Sequence, residues 1–217
     1  MEFNDLFDFL EGLRANNNKE WMDAHRKKYH NLRNGFILWL DHLDLKLSER
    51  HGDYCPTPGK KGINRINNNL MYHPHKPIYK DHFGAVLDKA PHSADFYIEL
   101  GLDHCLLAGG FWRPDPKTLA SIREGIDYNG EVLLEILERP SFKETFGGLY
   151  RDEKLRQAPK GYSQDHPHIG LLRHKTFAVE HRFPREEVFR DDFMEKVVSV
   201  YMEMLPFRRY LNQAVGV

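Results

Sequence analysis

The chain has 217 residues, 41% hydrophobic and 29% charged, and its acids and bases nearly cancel to a formal net charge of −1. Such a length and apolar content describe one folded domain spanning 1–217 rather than a disordered or fibrous chain. The neutral balance excludes a bulk electrostatic footprint for nucleic acid or an anionic membrane, and leaves only a local basic cluster open.

The N-terminal stretch places Glu2, Asp5 and Asp8 where a secretion signal needs positive charge, and no apolar run reaches membrane-spanning length. A cytoplasmic location with no membrane partner is the expectation. Cys55 and Cys105 show neither metal-type spacing nor a disulfide framework, and Cys105 lies in an apolar run as a small buried hydrophobe.

Asn4 is positioned to cap a first helix whose apolar residues, Leu6, Phe9, Leu10 and Leu13, repeat at helical spacing. Asn16-Asn17-Asn18 breaks it, and Asn18 is placed to cap the next helix at Lys19-Glu20-Trp21. That helix begins with a basic face (His25, Arg26, Lys27, Lys28). It continues into an apolar stripe of Leu32, Phe36, Trp39, Leu40, Leu43 and Leu47 that ends before His51-Gly52.

Residues 52–62 read as a loop. Asn67 to Tyr72 has a strand's length, and the prolines at 74 and 77 exclude a helix beyond it. Strands are predicted over Phe83 to Lys89, Asp95 to Leu100 and His104 to Trp112, the last two joined by a turn at Gly101-Leu102-Asp103. The alternation of Phe96, Ile98 and Leu100 with polar residues marks a half-buried strand. The short connections make the sheet antiparallel.

Asp115-Pro116 opens a helix that Gly130 separates from another over Glu131 to Glu138; Pro140 to Phe146 forms a third. A short helix at Ile169 to His174, a strand at Thr176 to His181 and a last helix ended by Pro206 complete the chain. The fold class is therefore α+β, with a central, largely antiparallel sheet flanked by helices from both chain ends.

Two polar stretches stand out against this scaffold. Residues 65–82 hold Arg65, three asparagines, His73-Pro74-His75, Lys76, Tyr79 and Lys80; residues 159–168 hold Lys160, Gly161, Tyr162, Asp165 and His166-Pro167-His168. Four separated motifs make the chain similar to the bacterial domain-of-unknown-function family number 2461. They are Asn16 to Trp21, Lys76 to Lys80, Gly110 to Pro114, and Pro159 to Tyr162 with Asp165 to Pro167. The resemblance covers nearly the whole chain and implies a single α+β domain, with no reaction attached. Where that family reads R-I-x-R-D-x-R-F, this chain has Arg65-Ile66-Asn67-Asn68-Asn69-Leu70-Met71-Tyr72, and His75 stands in place of an acid. An arginine-lined anion pocket, if the family has one, is weakened here.

Three chemistries compete. In the first, Arg65, Lys76, Lys80 and Lys160 bind a small phosphate- or carboxylate-bearing ligand that Asn69, Tyr79 and Tyr162 orient. Arginine offers a bidentate grip and lysine a point charge. Against it stands a solvated surface with loop anchors. For catalysis, Asp165 or His166 is the candidate general base.

In the second, His73, His75, His166 and His168 hold a hydrolytic metal, since residues two apart in an extended segment face the same side. Against it, thirteen histidines make chance pairs common, and neither pair has the helical spacing of familiar zinc motifs. The third is a non-catalytic protein-interaction module, which an exposed apolar patch would favour. Nucleic-acid contact by residues 25–33 is disfavoured by nearby acids. The residues name no cofactor and no oligomeric state. The anion reading requires residues 65–80 and 159–168 to line one cleft.

Overall fold

In a computed structural model of the protein, residues 2–150 and 154–216 are described. Among them are helices α1 (Phe3–Ala15), α2 (Lys19–Arg50), α3 (Gly59–Gly62), α4 (Pro116–Glu138), α5 (Pro140–Phe146), α6 (Ile169–Leu172) and α7 (Phe193–Val215). Strands β1 (His82–Leu87), β2 (Asp95–Gly101), β3 (Cys105–Phe111) and β4 (Phe177–Phe183) form one antiparallel sheet in the order β1-β2-β3-β4. A 3-10 helix covers Arg185–Phe189. The class is α+β, as the sequence predicts.

The described residues group into two compact units. The first comprises the chain up to Lys89, Tyr97–Leu107 and Arg182–Val198; the second comprises Ala90–Phe96, Ala108–His181 and the chain from Ser199 onward.

In the first unit, α2 forms because Asn18 accepts a hydrogen bond from the Trp21 amide at 2.9 Å, satisfying one of the helix's orphan donors. Leu32, Phe36, Leu40, Leu43 and Leu47 of the stripe read from the sequence are buried, and its Trp39 is half-buried. Each fully buried leucine or phenylalanine contributes about 1.5–3 kcal/mol. Phe36 meets Phe83 edge-on at 5.7 Å, and Trp39 stacks on Phe193 at 5.7 Å. α1 starts one residue before Asn4, with Glu2 at the cap position and no side-chain cap bond.

In the second unit, α4 breaks at Asn129, one residue before the expected Gly130, where a φ of −148° and ψ of 43° leave the helical region. Phe142 of α5 packs against Phe207 at 6.0 Å, and Phe96 meets Tyr201 at 4.9 Å. Arg208 is buried; its Nε and Nη2 donate to the Ala94 carbonyl at 3.1 and 2.7 Å, and Asn212 accepts from the Ala94 amide at 2.7 Å.

Several expected elements and boundaries fail, among them the loop over 52–62, which ends in helix α3. Pro206 does not end the last helix, which continues to Val215. Phe207, Arg208, Tyr210 and Leu211 beyond it are all buried, and that burial outweighs the roughly 3 kcal/mol cost of an interior proline. Asn67 to Tyr72 is not a strand: Asn67 alone makes an isolated bridge, to Tyr79, and the chain then turns. The predicted strand to Lys89 stops at Leu87 because Asp88 takes a positive φ of 51°.

Candidate functional site

The polar stretch after Arg65 is a hairpin-like loop belonging to the first unit. Lys80 N donates to the Ile66 carbonyl at 2.8 Å and Asn68 N to the Ile78 carbonyl at 2.9 Å, so the two arms pair at their base. Asn17, from the turn between α1 and α2, clamps that base. Its Nδ2 donates to the Tyr79 carbonyl and its Oδ1 accepts from the Tyr79 amide, both at 2.9 Å. Ile66 and Tyr79 are buried beneath the loop. Tyr79 therefore anchors the loop, its ring packed away from solvent.

At the foot of the loop, cationic groups gather. Lys80 is partly buried and its Nζ donates to the Arg65 carbonyl at 2.9 Å. Burial first, and then the charge of Arg65 and more weakly that of Lys76, push the Lys80 ammonium below its ordinary pKa, while Glu99 pulls it back up. Arg65 and Lys76 are exposed. Asn69 shapes the loop through its backbone: its carbonyl accepts from the amides of Tyr72 (3.2 Å) and His73 (2.9 Å). His73 and His75 are exposed beyond it.

Beside these cations, the polar face of β1 and β2 carries a cluster centred on Glu99, whose side chain is 13% exposed. Tyr97 OH donates to Glu99 Oε2 at 2.5 Å. His104 Nε2 lies 3.2 Å from Oε1, and His82 Nε2 lies 3.5 Å from Oε2. Burial, reinforced by the Glu99 charge, raises the Tyr97 phenol far above its usual value, with an Asn64 hydrogen bond opposing. His82 is lowered by burial, against the Glu99 charge that favours its cation. Gly84 on β1 makes room for this arrangement: a Cβ there would sit 2.5 Å from the Tyr97 hydroxyl. Tyr97, Glu99, His82, His104 and Asn64 were not among the residues singled out by sequence. The signal was present, since the period of two that buries Phe96, Ile98 and Leu100 puts Tyr97 and Glu99 together on the opposite face.

The second polar stretch belongs to the second unit. Tyr162 N donates to the Pro159 carbonyl at 3.1 Å, closing a turn that leaves Lys160 exposed. His168 N donates to His166 Nδ1 at 3.0 Å, which places the His166 proton on Nε2, 2.9 Å from Asp127 Oδ1. His168 Nε2 lies 3.2 Å from Glu131 Oε2. Asp127 and Glu131, on either side of the Asn129 break in α4, thus hold both imidazoles. Both nitrogens of His166 are engaged, so a base role there requires its Nδ1 lone pair to be released. Asp165 is exposed, its amide directed to Ser163 Oγ at 3.2 Å. The Tyr162 ring meets His166 edge-on at 6.1 Å, and its phenol is raised by burial and by the Asp127 and Glu124 charges.

The imidazoles of His166 and His168 come together, with ring centroids 5.8 Å apart. Among the described residues, no group of three or more His, Cys, Asp or Glu side chains is placed to hold a metal ion. No helix of the described residues is long and apolar enough to cross a membrane.

The architecture and its polar sheet face define an α+β protein with a charged cluster at the loop–sheet junction of its first unit. The chain matches the family described as "Conserved hypothetical protein (DUF2461)" over residues 5–210, and it belongs to that family. Neither a curated protein nor a solved structure matches it.

Proposed function

We propose that the protein binds a small anionic ligand, carrying phosphate or carboxylate, where Arg65, Lys76 and Lys80 gather at the foot of the loop. The observation that carries this reading is the gathering of three cations: Lys80, partly buried with its Nζ donating to the Arg65 carbonyl at 2.9 Å, beside the exposed Arg65 and Lys76, whose charges act against its proton while Glu99 favours it. An anion arriving there relieves that repulsion and gains charge-assisted hydrogen bonds. Arg65 supplies a planar fork and Lys76 a mobile point charge. The Asn17 clamp supports the reading by holding the loop's base in one geometry before a ligand arrives, which lowers the ordering cost of binding.

The test is thermal melting with pyrophosphate at matched ionic strength. A ligand at a hundred times its Kd stabilises by about 2.7 kcal/mol, which for a chain of this size is roughly 5–10 °C in Tm. The rise is expected to saturate with pyrophosphate concentration and to disappear in the Arg65→Ala/Lys76→Ala double variant, both exposed positions. A Tm indifferent to pyrophosphate, or an equal rise in the double variant, removes the proposal.

A further inference from the structure

The tip of the same loop carries a feature that anion binding at its foot does not use. Leu70, Met71 and Tyr72 are consecutive, and 38%, 79% and 71% of their surface is exposed; Ile78, on the returning arm, is 37% exposed. Three apolar side chains in a row facing water are unfavourable unless something covers them. The segment around them is also one-sided in charge. From Tyr54 to Lys80 the chain holds Lys60, Lys61, Arg65, Lys76, Lys80 and two histidines, and no aspartate or glutamate. This is the local basic cluster that a net charge of −1 conceals.

We infer that this loop is a peripheral docking element for an anionic lipid surface. Leu70, Met71 and Tyr72 enter the headgroup–acyl boundary, while Lys76 and Arg65 meet lipid phosphates. Three observations favour lipid over other anionic partners. The outermost side chains include the aliphatic Leu70 and Met71, which gain from an acyl environment and offer little to stacked bases. The tip turns on itself, with the amides of Tyr72 and His73 both satisfied by the Asn69 carbonyl, so these donors enter a less polar layer already paired. Arg65 and Lys80, at the paired base of the loop, lie behind the apolar tip and match the depth order of phosphates above acyl chains. The contact is peripheral and calls for no membrane-crossing helix.

The test uses the full chain and vesicles of phosphatidylcholine with or without phosphatidylglycerol. The protein is expected to co-sediment with the anionic vesicles, to do so far less with pure phosphatidylcholine, and to be released by raised salt. Met71→Asp, at an exposed position outside the cationic foot, is expected to weaken binding about tenfold or more by replacing an inserting group with a repelled charge. Its melting temperature and pyrophosphate response should stay those of the parent chain, which separates this inference from the small-ligand reading. Met71→Trp is expected to show a blue-shifted emission, relative to the parent, on adding anionic vesicles. The inference is overturned by absence from the vesicle pellet, by equal sedimentation of Met71→Asp, or by unshifted Met71→Trp emission. Binding to a single-stranded oligonucleotide or an acidic protein while vesicles are ignored also overturns it, and assigns the face to that partner instead.

Discussion

Asn16, Asn17 and Asn18 look interchangeable in the sequence and do three different jobs, which makes an alanine scan across them a sharp test. Asn16 donates its Nδ2 to the Gly12 carbonyl at 3.0 Å on an exposed helix end. Water replaces that bond readily, so Asn16→Ala should cost about 0.5 kcal/mol. Asn18 is an N-cap, and caps of this type are worth about 1 kcal/mol. Asn17 makes two bonds to the backbone N–H and C=O of one residue 62 positions away, mimicking a strand pairing with Tyr79. Its removal loses two net hydrogen bonds and strands a donor and an acceptor, so about 2–3 kcal/mol is expected. Asn17→Asp keeps the acceptor but turns a carboxylate toward the Tyr79 carbonyl, and should be no milder than alanine. Urea denaturation at unchanged m-value gives the three numbers. If Asn17→Ala costs no more than Asn18→Ala, the clamp does not hold the loop and the account of its rigid base is wrong.

Other outcomes follow from single features. Gly110 has φ +115°, and a Cβ there would lie 2.2 Å from the Phe177 carbonyl; Gly110→Ala should cost more than about 3 kcal/mol or prevent folding, as read by circular dichroism. His174 is buried and lowered by that burial to about 4 from an ordinary 6.5. Between those values the unfolded chain binds the extra proton, so the stability His174 permits is complete above pH 6.5, falls as pH drops, and levels off below 4. The change is at most about 3 kcal/mol, and it should be absent in His174→Gln across a pH series of urea melts. Glu99→Gln removes the charge that favours protonated His82, so the His82 titration followed by NMR should move lower still; an upward move would contradict the cluster as described.

Where periodicity and local chemistry agree, the fold is legible from residues alone. The α2 stripe, the Asn18 cap, the Asp115-Pro116 start of α4 and the alternation in β2 all depend on neighbours in sequence, and all stand as read. Pro206 misleads because local preference says stop while burial of Phe207 and Leu211 says continue, and burial is a property of the whole chain. The site divides the same way. Arg65, Lys76 and Lys80 are visible as a charge-rich run. Glu99 is not, because a single glutamate in a strand gains meaning only when His82 and His104 arrive from its neighbours. Tyr79 carries a ring that suggests ligand contact, yet Asn17, distant in sequence, uses its backbone N–H and C=O instead.

The division into two units has a consequence for how the protein is made. Each unit is assembled from three separate lengths of chain, and the first takes its final segment from Arg182–Val198. During synthesis, the residues up to Lys89 must wait while more than ninety others leave the ribosome before that segment exists. Synthesis at roughly 5–20 residues per second makes this a delay of several seconds or longer, with the Trp39 ring lacking its Phe193 partner on the nascent chain. Truncating the gene anywhere before the codon for Val198 should therefore yield a chaperone-bound or aggregated product rather than a smaller stable domain.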